Sequence, residues 1–264
     1  MAIRKYFFLI ISIFTLYTTT CYAELDDILK RGALKVAIPT DYPPFGFVGK
    51  DLQAQGYDID VAKYLAKQLN VKIVLVPVTS ANRIPYLQTQ KVDLVISTLG
   101  KTAERENIID FTIPYGPFYL GIFGSPSLSV NNIDDLANKT VGVTRGGIED
   151  IILSEIAPAQ TIIKRYEDNN TTLSAYLADQ VELISTGNVI IYAINNMDNS
   201  KPTVGKITLK NSPNHIGLRK NEPELKDKIN ELLQQAINDG TLNEYSQKWL
   251  GMPFTTDQQT MSLY

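Results

Sequence analysis

The chain has 264 residues, with 25 Lys and Arg against 28 Asp and Glu, one histidine, one cysteine and 44% apolar residues. That length can bury an ample core without cross-links, and a formal charge of −3 gives no basic face for nucleic acid or an anionic membrane surface. Lys and Arg are scattered singly, so no block of like charge marks a disordered tail.

Arg4 and Lys5 precede the mostly apolar run Tyr6 to Tyr17, and TTTCYA then leads to Glu24. This is the pattern of a secretory signal peptide spanning residues 1–23, cut after Ala23. The apolar run is short for a membrane span. The competing expectation is a lipoprotein acylated at Cys21, although Thr18, Thr19 and Thr20 supply neither the leucine nor the small residue of a lipobox. Cleavage after Ala23 removes the only cysteine, excludes a disulfide, and leaves 23 basic residues against 28 acidic ones, a charge of −5.

From Leu34 the pattern alternates between the periods of strand and helix. Leu34, Val36 and Ile38 predict a strand; Ile59, Ala62, Leu65, Ala66 and Leu69 line one face of a helix. A strand at Ile73 to Val78, a helix from about Asn82 and a strand at Val92 to Ser97 complete a βαβαβ unit. The order then repeats, with strands predicted at Val141 to Thr144, Thr161 to Arg165 and Val181 to Ser185, and helices at Ile148 to Ile156 and Thr172 to Ala178. Between the units lies PYGPFYLGIFGSP, and after the second lies NSPNHIGLRK; both carry turn residues around extended segments. A helix with Leu225, Ile229, Leu232, Leu233 and Ala236 on one face follows. The expected fold class is therefore α/β, with two mostly parallel sheets flanked by helices.

The stretch NRIPYLQTQKVDLVISTLGKTAERENIIDF ends a buried strand in a polar loop that offers Arg105. Together with YPPF (Tyr42 to Phe45), GYDID (Gly56 to Asp60), VGVTRGG (Val141 to Gly147) and GLRK (Gly217 to Lys220), it resembles the extracellular solute-binding proteins of family 3 from Leu34 to Leu250. The resemblance implies a two-lobed, type II-like periplasmic-binding-protein fold whose lobes are joined by two crossings that act as a hinge. Lobe 1 would comprise residues 24–117 and 215–264, and lobe 2 residues 118–214. It further implies a periplasmic, monomeric receptor that carries a small carboxylated solute, such as an amino acid, to an ABC permease without any cofactor. No further module is expected after Leu250.

By the same resemblance Arg105 holds the ligand carboxylate as a bidentate fork, and Ser97 and Thr98 present backbone and hydroxyl partners. The family's hydroxyl residue five positions before the arginine is Gly100 here, and its Gly-Thr turn is Gly146-Gly147, so backbone contacts from the N-terminus of the following helix are expected. The aspartate that takes the ligand's ammonium is replaced by Gly187; Glu149, Asp150, Asn188 and Asp168 are the candidates to substitute for it. Tyr42 and Phe45 are expected to wall the pocket, and Arg83 in NRIP to reach a side-chain carboxylate. Asp58 reads as a helix cap, and His215 as a hinge residue without metal-binding company. No P-loop, GxSxG, HExxH or cysteine pair occurs. The alternative reading is a cyclohexadienyl dehydratase of the same fold, with Glu149 or Asp150 as general acid.

Overall fold

The computed structural model describes residues 24–197 and 201–255. The expected signal peptide and Cys21 lie outside the described residues. Helix α1 (Glu24–Arg31) leads into β1 (Ala33–Ile38), the hairpin strands β2 (Asp41–Tyr42), β3 (Gly46–Val48) and β4 (Ala54–Gln55), and then α2 (Tyr57–Gln68). Next come β5 (Lys72–Pro77), α3 (Arg83–Gln88), β6 (Leu94–Val95), α4 (Ala103–Ile108) and β7 (Ile109–Gly116). The second unit holds β8 (Tyr119–Gly124), β9 (Thr140–Thr144), α5 (Ile148–Ile156), β10 (Ile162–Tyr166), α6 (Asn169–Leu177), β11 (Leu183–Gly187), α7 (Asn188–Met197) and β12 (Val204–Asn211). Strand β13 (Asn214–Arg219) and helices α8 (Pro223–Asn238) and α9 (Thr241–Leu250) follow.

These elements build two five-stranded sheets, ordered β5-β1-β6-β13-β7 and β10-β9-β11-β8-β12. In the first, β5, β1 and β6 are parallel and β13 runs antiparallel to both β6 and β7. In the second, β10, β9 and β11 are parallel and β8 runs antiparallel to β11 and β12. Each sheet thus has one reversed strand, and in each case it is the strand entered directly after the chain has passed over from the other sheet. The passages are β7 to β8 and β12 to β13, within the two Gly/Pro-rich stretches.

Helix α2 packs on the first sheet at β1 and β5 beside α8 and α9, which pack on it at β7. Its apolar stripe, including Ile59, Ala62, Leu65 and Ala66, is buried, as are Leu225, Ile229, Leu232, Leu233 and Ala236 of α8. The strand predicted over Val92 to Ser97 pairs only at Leu94 and Val95, because Ser97 and Thr98 leave the ladder to form a loop. The small sheet β2-β3-β4 has no periodic signature, its strands being two or three residues long. It holds Tyr42 at the end of the first sheet.

Leu65 is fully buried between sheet and helices, so Leu65→Ala should lower the unfolding free energy by about 2–5 kcal/mol through lost transfer energy and a residual cavity. Urea denaturation measures this, and a change below about 1 kcal/mol would contradict the packing described.

Candidate functional site

Loop Ser97 to Thr102 follows β6 at the carboxyl end of the central strand of the first sheet, where an open α/β sheet presents groups to a ligand. Thr98 adopts φ +44°, the left-handed region disfavoured for a β-branched residue. Asp58 holds it there: its Oδ2 accepts the Thr98 N–H at 2.9 Å, and its Oδ1 accepts the Tyr115 hydroxyl at 2.8 Å. Asp58 is therefore not the helix cap expected from sequence. The cap of α2 is Gly56, without a side-chain hydrogen bond, and Asp58 points inward from the first turn. Burial pushes its carboxyl up to about 7, against the lowering effect of the two hydrogen bonds and of Arg83. The sequence signal was available, since Asp58 alternates with core positions in GYDID, but its long-range partners were not.

Arg105 enters from α4, whose first turn is capped by the Thr102 hydroxyl accepting the Arg105 N–H. It is 5% exposed rather than paired on the surface with Glu104 or Glu106. Nη1 donates to the Gly100 carbonyl at 2.8 Å, and Nη2 crosses to the Gly146 carbonyl of the second unit at 3.2 Å. Arg83, also buried, donates from Nη1 to the Ser97 carbonyl, while its Nε has no partner. Burial lowers the pKa of both guanidinium groups, that of Arg105 to about 10 with Arg83 adding to the effect. Guanidinium groups keep their proton in proteins, so the pair presents two positive charges.

Gly100 packs against the opposite unit. A Cβ there would stand 2.7 Å from Ser212 Oγ and 2.9 Å from Ile148 Cδ1, so a hydroxyl side chain at this position would have to displace both of these side-chain ends. The Gly146-Gly147 turn departs from expectation. Gly146, at φ +71°, donates its N–H to Asp150 Oδ2 at 3.1 Å, and Gly147 donates to the Thr144 carbonyl. Asp150 folding back on its own turn consumes the donor, and the turn offers Arg105 a carbonyl instead.

Tyr42 and Phe45 are stacked with ring centroids 5.8 Å apart. Tyr42 faces the second unit: its hydroxyl lies 3.0 Å from Thr186 Oγ1 and accepts the Gly187 N–H at 3.2 Å. Phe45 lies behind it, fully buried against Tyr57 and Phe118. A Cβ on Gly187 would fall 2.1 Å from the Phe118 ring, which explains why no acidic side chain stands there. Beside Tyr42, Asp41 Oδ2 accepts both the backbone and side-chain N–H groups of Asn169.

Of the four candidates to replace the missing aspartate, three are committed elsewhere. Asp150 bonds Gly146 and forms an ion pair with Arg165 at 2.7 Å. Asp168 caps α6 through the Thr171 N–H, and Asn188 accepts the Tyr119 N–H where β8 begins. Glu149, on the first turn of α5, is 6% exposed and interacts electrostatically with Arg83, Arg105 and Tyr42 from the first unit. Burial raises its pKa, and the two arginines oppose that rise. The site thus combines two buried guanidinium groups on one side with one buried carboxylate on the other. His215 lies on β13, its Nδ1 2.8 Å from the Thr112 carbonyl, and no group of metal-ligating side chains occurs among the described residues.

Comparison with known proteins gives a consistent result. The family model for bacterial extracellular solute-binding proteins, family 3, matches residues 34–252. The chain is 26% identical to the L-cystine-binding protein TcyJ of Escherichia coli over 239 residues, 88% of this chain and 87% of the relative. It is 29% identical to the ABC transporter glutamine-binding protein GlnH of Bacillus subtilis over 220 residues, 81% and 79% of the two chains. The crystal structure of the ancestral amino acid-binding protein AncCDT-1, a precursor of cyclohexadienyl dehydratase, superposes with a TM-score of 0.79 at 32% identity, covering 86% of this chain and 99% of that one.

Because the folded pKa of Asp58 lies above its ordinary value of 3.8, the native chain keeps a proton that the unfolded chain has already released. That contribution is complete below about pH 4 and is lost as pH rises through about 7. Asp58→Asn removes the titration. The stability of the wild type minus that of D58N should therefore fall by a few kcal/mol across this window, as measured by urea unfolding. A difference independent of pH would show that the carboxyl titrates normally.

Proposed function

The chain belongs to the bacterial extracellular solute-binding proteins of family 3, and from that premise we propose that it is a receptor closing two lobes on one amino acid for delivery to an ABC permease. Arg105 carries this reading. A buried guanidinium that bridges the Gly100 carbonyl of one lobe and the Gly146 carbonyl of the other lies where a ligand carboxylate would be gripped from both sides. The names of the relatives, which bind cystine and glutamine, support an amino acid as the solute. Ser97, Thr98 and Gly100 complete the anchor's loop, Tyr42 forms the facing wall with Phe45 behind it, and Gly146 and Gly147 form the opposing turn.

Lobe 1 takes residues 24–117 and 215–264 and lobe 2 residues 118–214 in this reading, supported by the membership of β7 and β8, and of β12 and β13, in different sheets. A single chain supplies both faces of the cleft, which supports a monomer. The leader pattern supports secretion to the periplasm, and no described helix is long and apolar enough to cross a membrane. The enzymatic alternative is set aside. The relatives are binding proteins, and the dehydratase precursor is itself an amino acid-binding protein.

Arg83 adds selectivity. With its Nε unpaired in a buried site, it favours a ligand bearing a second carboxylate or another strong acceptor.

A ligand at about a hundred times its Kd should stabilise the protein by roughly 2.7 kcal/mol, visible as a thermal shift against a panel of L-amino acids. Arg105→Ala should weaken the ligand so found by about a hundredfold or more, since truncation leaves its carboxylate unpaired. An unchanged Kd would remove Arg105 from the anchor role. Arg83→Ala should weaken L-glutamate or L-aspartate more than their amides, and equal losses would exclude the selectivity assigned to it.

A further inference from the structure

We propose that Glu149 is the subsite for a primary ammonium group, so that the solute is recognised as a zwitterion held between Arg105 of one lobe and Glu149 of the other. The inference rests on the receptor reading above and names the group that the second lobe contributes to it.

The first observation is what surrounds Glu149. A buried carboxylate normally accepts several hydrogen bonds, because leaving it unpaired costs its full desolvation energy. Asp58 in this same chain has two donors from distant residues, and Asp150, next in sequence, has Gly146, Ser154 and Arg165. Among the described residues Glu149 bonds only its own backbone N–H, and no ion pair within 4 Å includes it. Its carboxyl carbon lies against Gly147, 2.8 Å from where a Cβ would stand there. A threonine or larger residue at 147 would displace the carboxylate, so the glycine is what lets Glu149 lie across the turn.

The second observation is where it faces. Glu149 belongs to the second lobe, its carboxyl lies across Gly147, and the adjoining Gly146 carbonyl accepts Arg105 Nη2 from the first lobe at 3.2 Å, so that Arg83, Arg105 and Tyr42 all act on it electrostatically. It therefore borders the same space as the carboxylate anchor. The third is the closure of the alternatives. The end of β11 cannot carry an acidic side chain because the Phe118 ring occupies its place, and Asp41, Asp150 and Asp168 all have donors of their own. Two guanidinium groups act on Glu149 from a distance, but among the described residues no side chain or distant backbone group donates to it, and a ligand ammonium brings three donors. Two guanidinium groups opposite one carboxylate then complement a solute with more anionic than cationic groups, in agreement with the role given to Arg83.

The test uses the mature chain and titration calorimetry with two probes: the L-amino acid giving the largest thermal shift among the standard set and L-cystine, and the carboxylic acid of the same skeleton lacking the amino group. Glu149→Gln should weaken the amino acid by about a hundredfold while leaving the des-amino acid unchanged or tighter. Without ligand, E149Q leaves Arg83 and Arg105 without their facing carboxylate, so a modestly lower unfolding temperature is expected; retained affinity for the des-amino acid shows that the pocket is intact, and its loss would indicate a structural role and overturn the proposal. Equal affinity of wild type and E149Q for the amino acid would also overturn it, as would equal losses for both probes, with the receptor reading intact in each case. If wild type binds des-amino acids but no amino acid, the receptor reading's choice of solute fails first, and the ammonium subsite fails with it.

Discussion

The candidate site depends on one buried carboxylate whose two oxygens are both engaged by the chain itself. Asp58 ties the first turn of α2 to the Thr98 amide and the Tyr115 hydroxyl, and so joins a core helix, the loop after β6 and the strand that leaves the first lobe. Thr98 keeps its left-handed backbone only because this carboxylate over-determines it. Loop geometry then places the Gly100 carbonyl under Arg105 and the Ser97 carbonyl under Arg83. Both guanidinium groups are thereby oriented by backbone oxygens that are themselves fixed by Asp58. Tyr57 extends the bracket by donating its hydroxyl to the Tyr115 carbonyl and stacking on the Tyr115 ring.

The electrostatics of the cleft follow from burial on both sides. Desolvation works against every charge there, lowering the pKa of Arg83 and Arg105 and raising that of Glu149 and Asp58. The groups remain compatible because opposite charges face each other across the lobes. A ligand that pairs with them relieves part of the desolvation cost, and only when both lobes are in place. This makes binding and closure one event rather than two.

Much of this was legible in the sequence. Periodicity located α2, α5, α6 and α8 and the parallel strands β1, β5, β6, β9, β10 and β11, but not β7, β12 or the small sheet β2-β3-β4. The resemblance singled out Arg105, Arg83 and Tyr42; all three are buried, and Arg105 and Tyr42 bond across to the second unit. What it missed are features set by contacts distant in sequence. Asp58 looked like a cap because its partners lie 40 and 57 residues away. The Gly146-Gly147 turn looked like an open donor site because Asp150 could not be seen folding back onto it. Gly100 and Gly187 read only as a missing hydroxyl and a missing carboxylate, whereas Ile148 and Ser212 crowd the first and Phe118 fills the second. Glu149 stood among four equal candidates until the other three were found to be engaged.

The bonds from Tyr42 to Thr186 and Gly187, and from Asp41 to Asn169, join the lobes through the protein's own atoms. They strengthen the lobe-to-lobe contact regardless of what solute lies between, so the solute must supply only the remainder of the closing free energy. Tyr42 serves both as latch and as pocket wall, whereas Asp41 and Asn169 belong to the latch and not to the wall. Weakening the Asp41–Asn169 pair would therefore lower the apparent affinity for every solute by a common factor and leave their order of preference unchanged, so that strength of capture can be adjusted there apart from the choice of cargo.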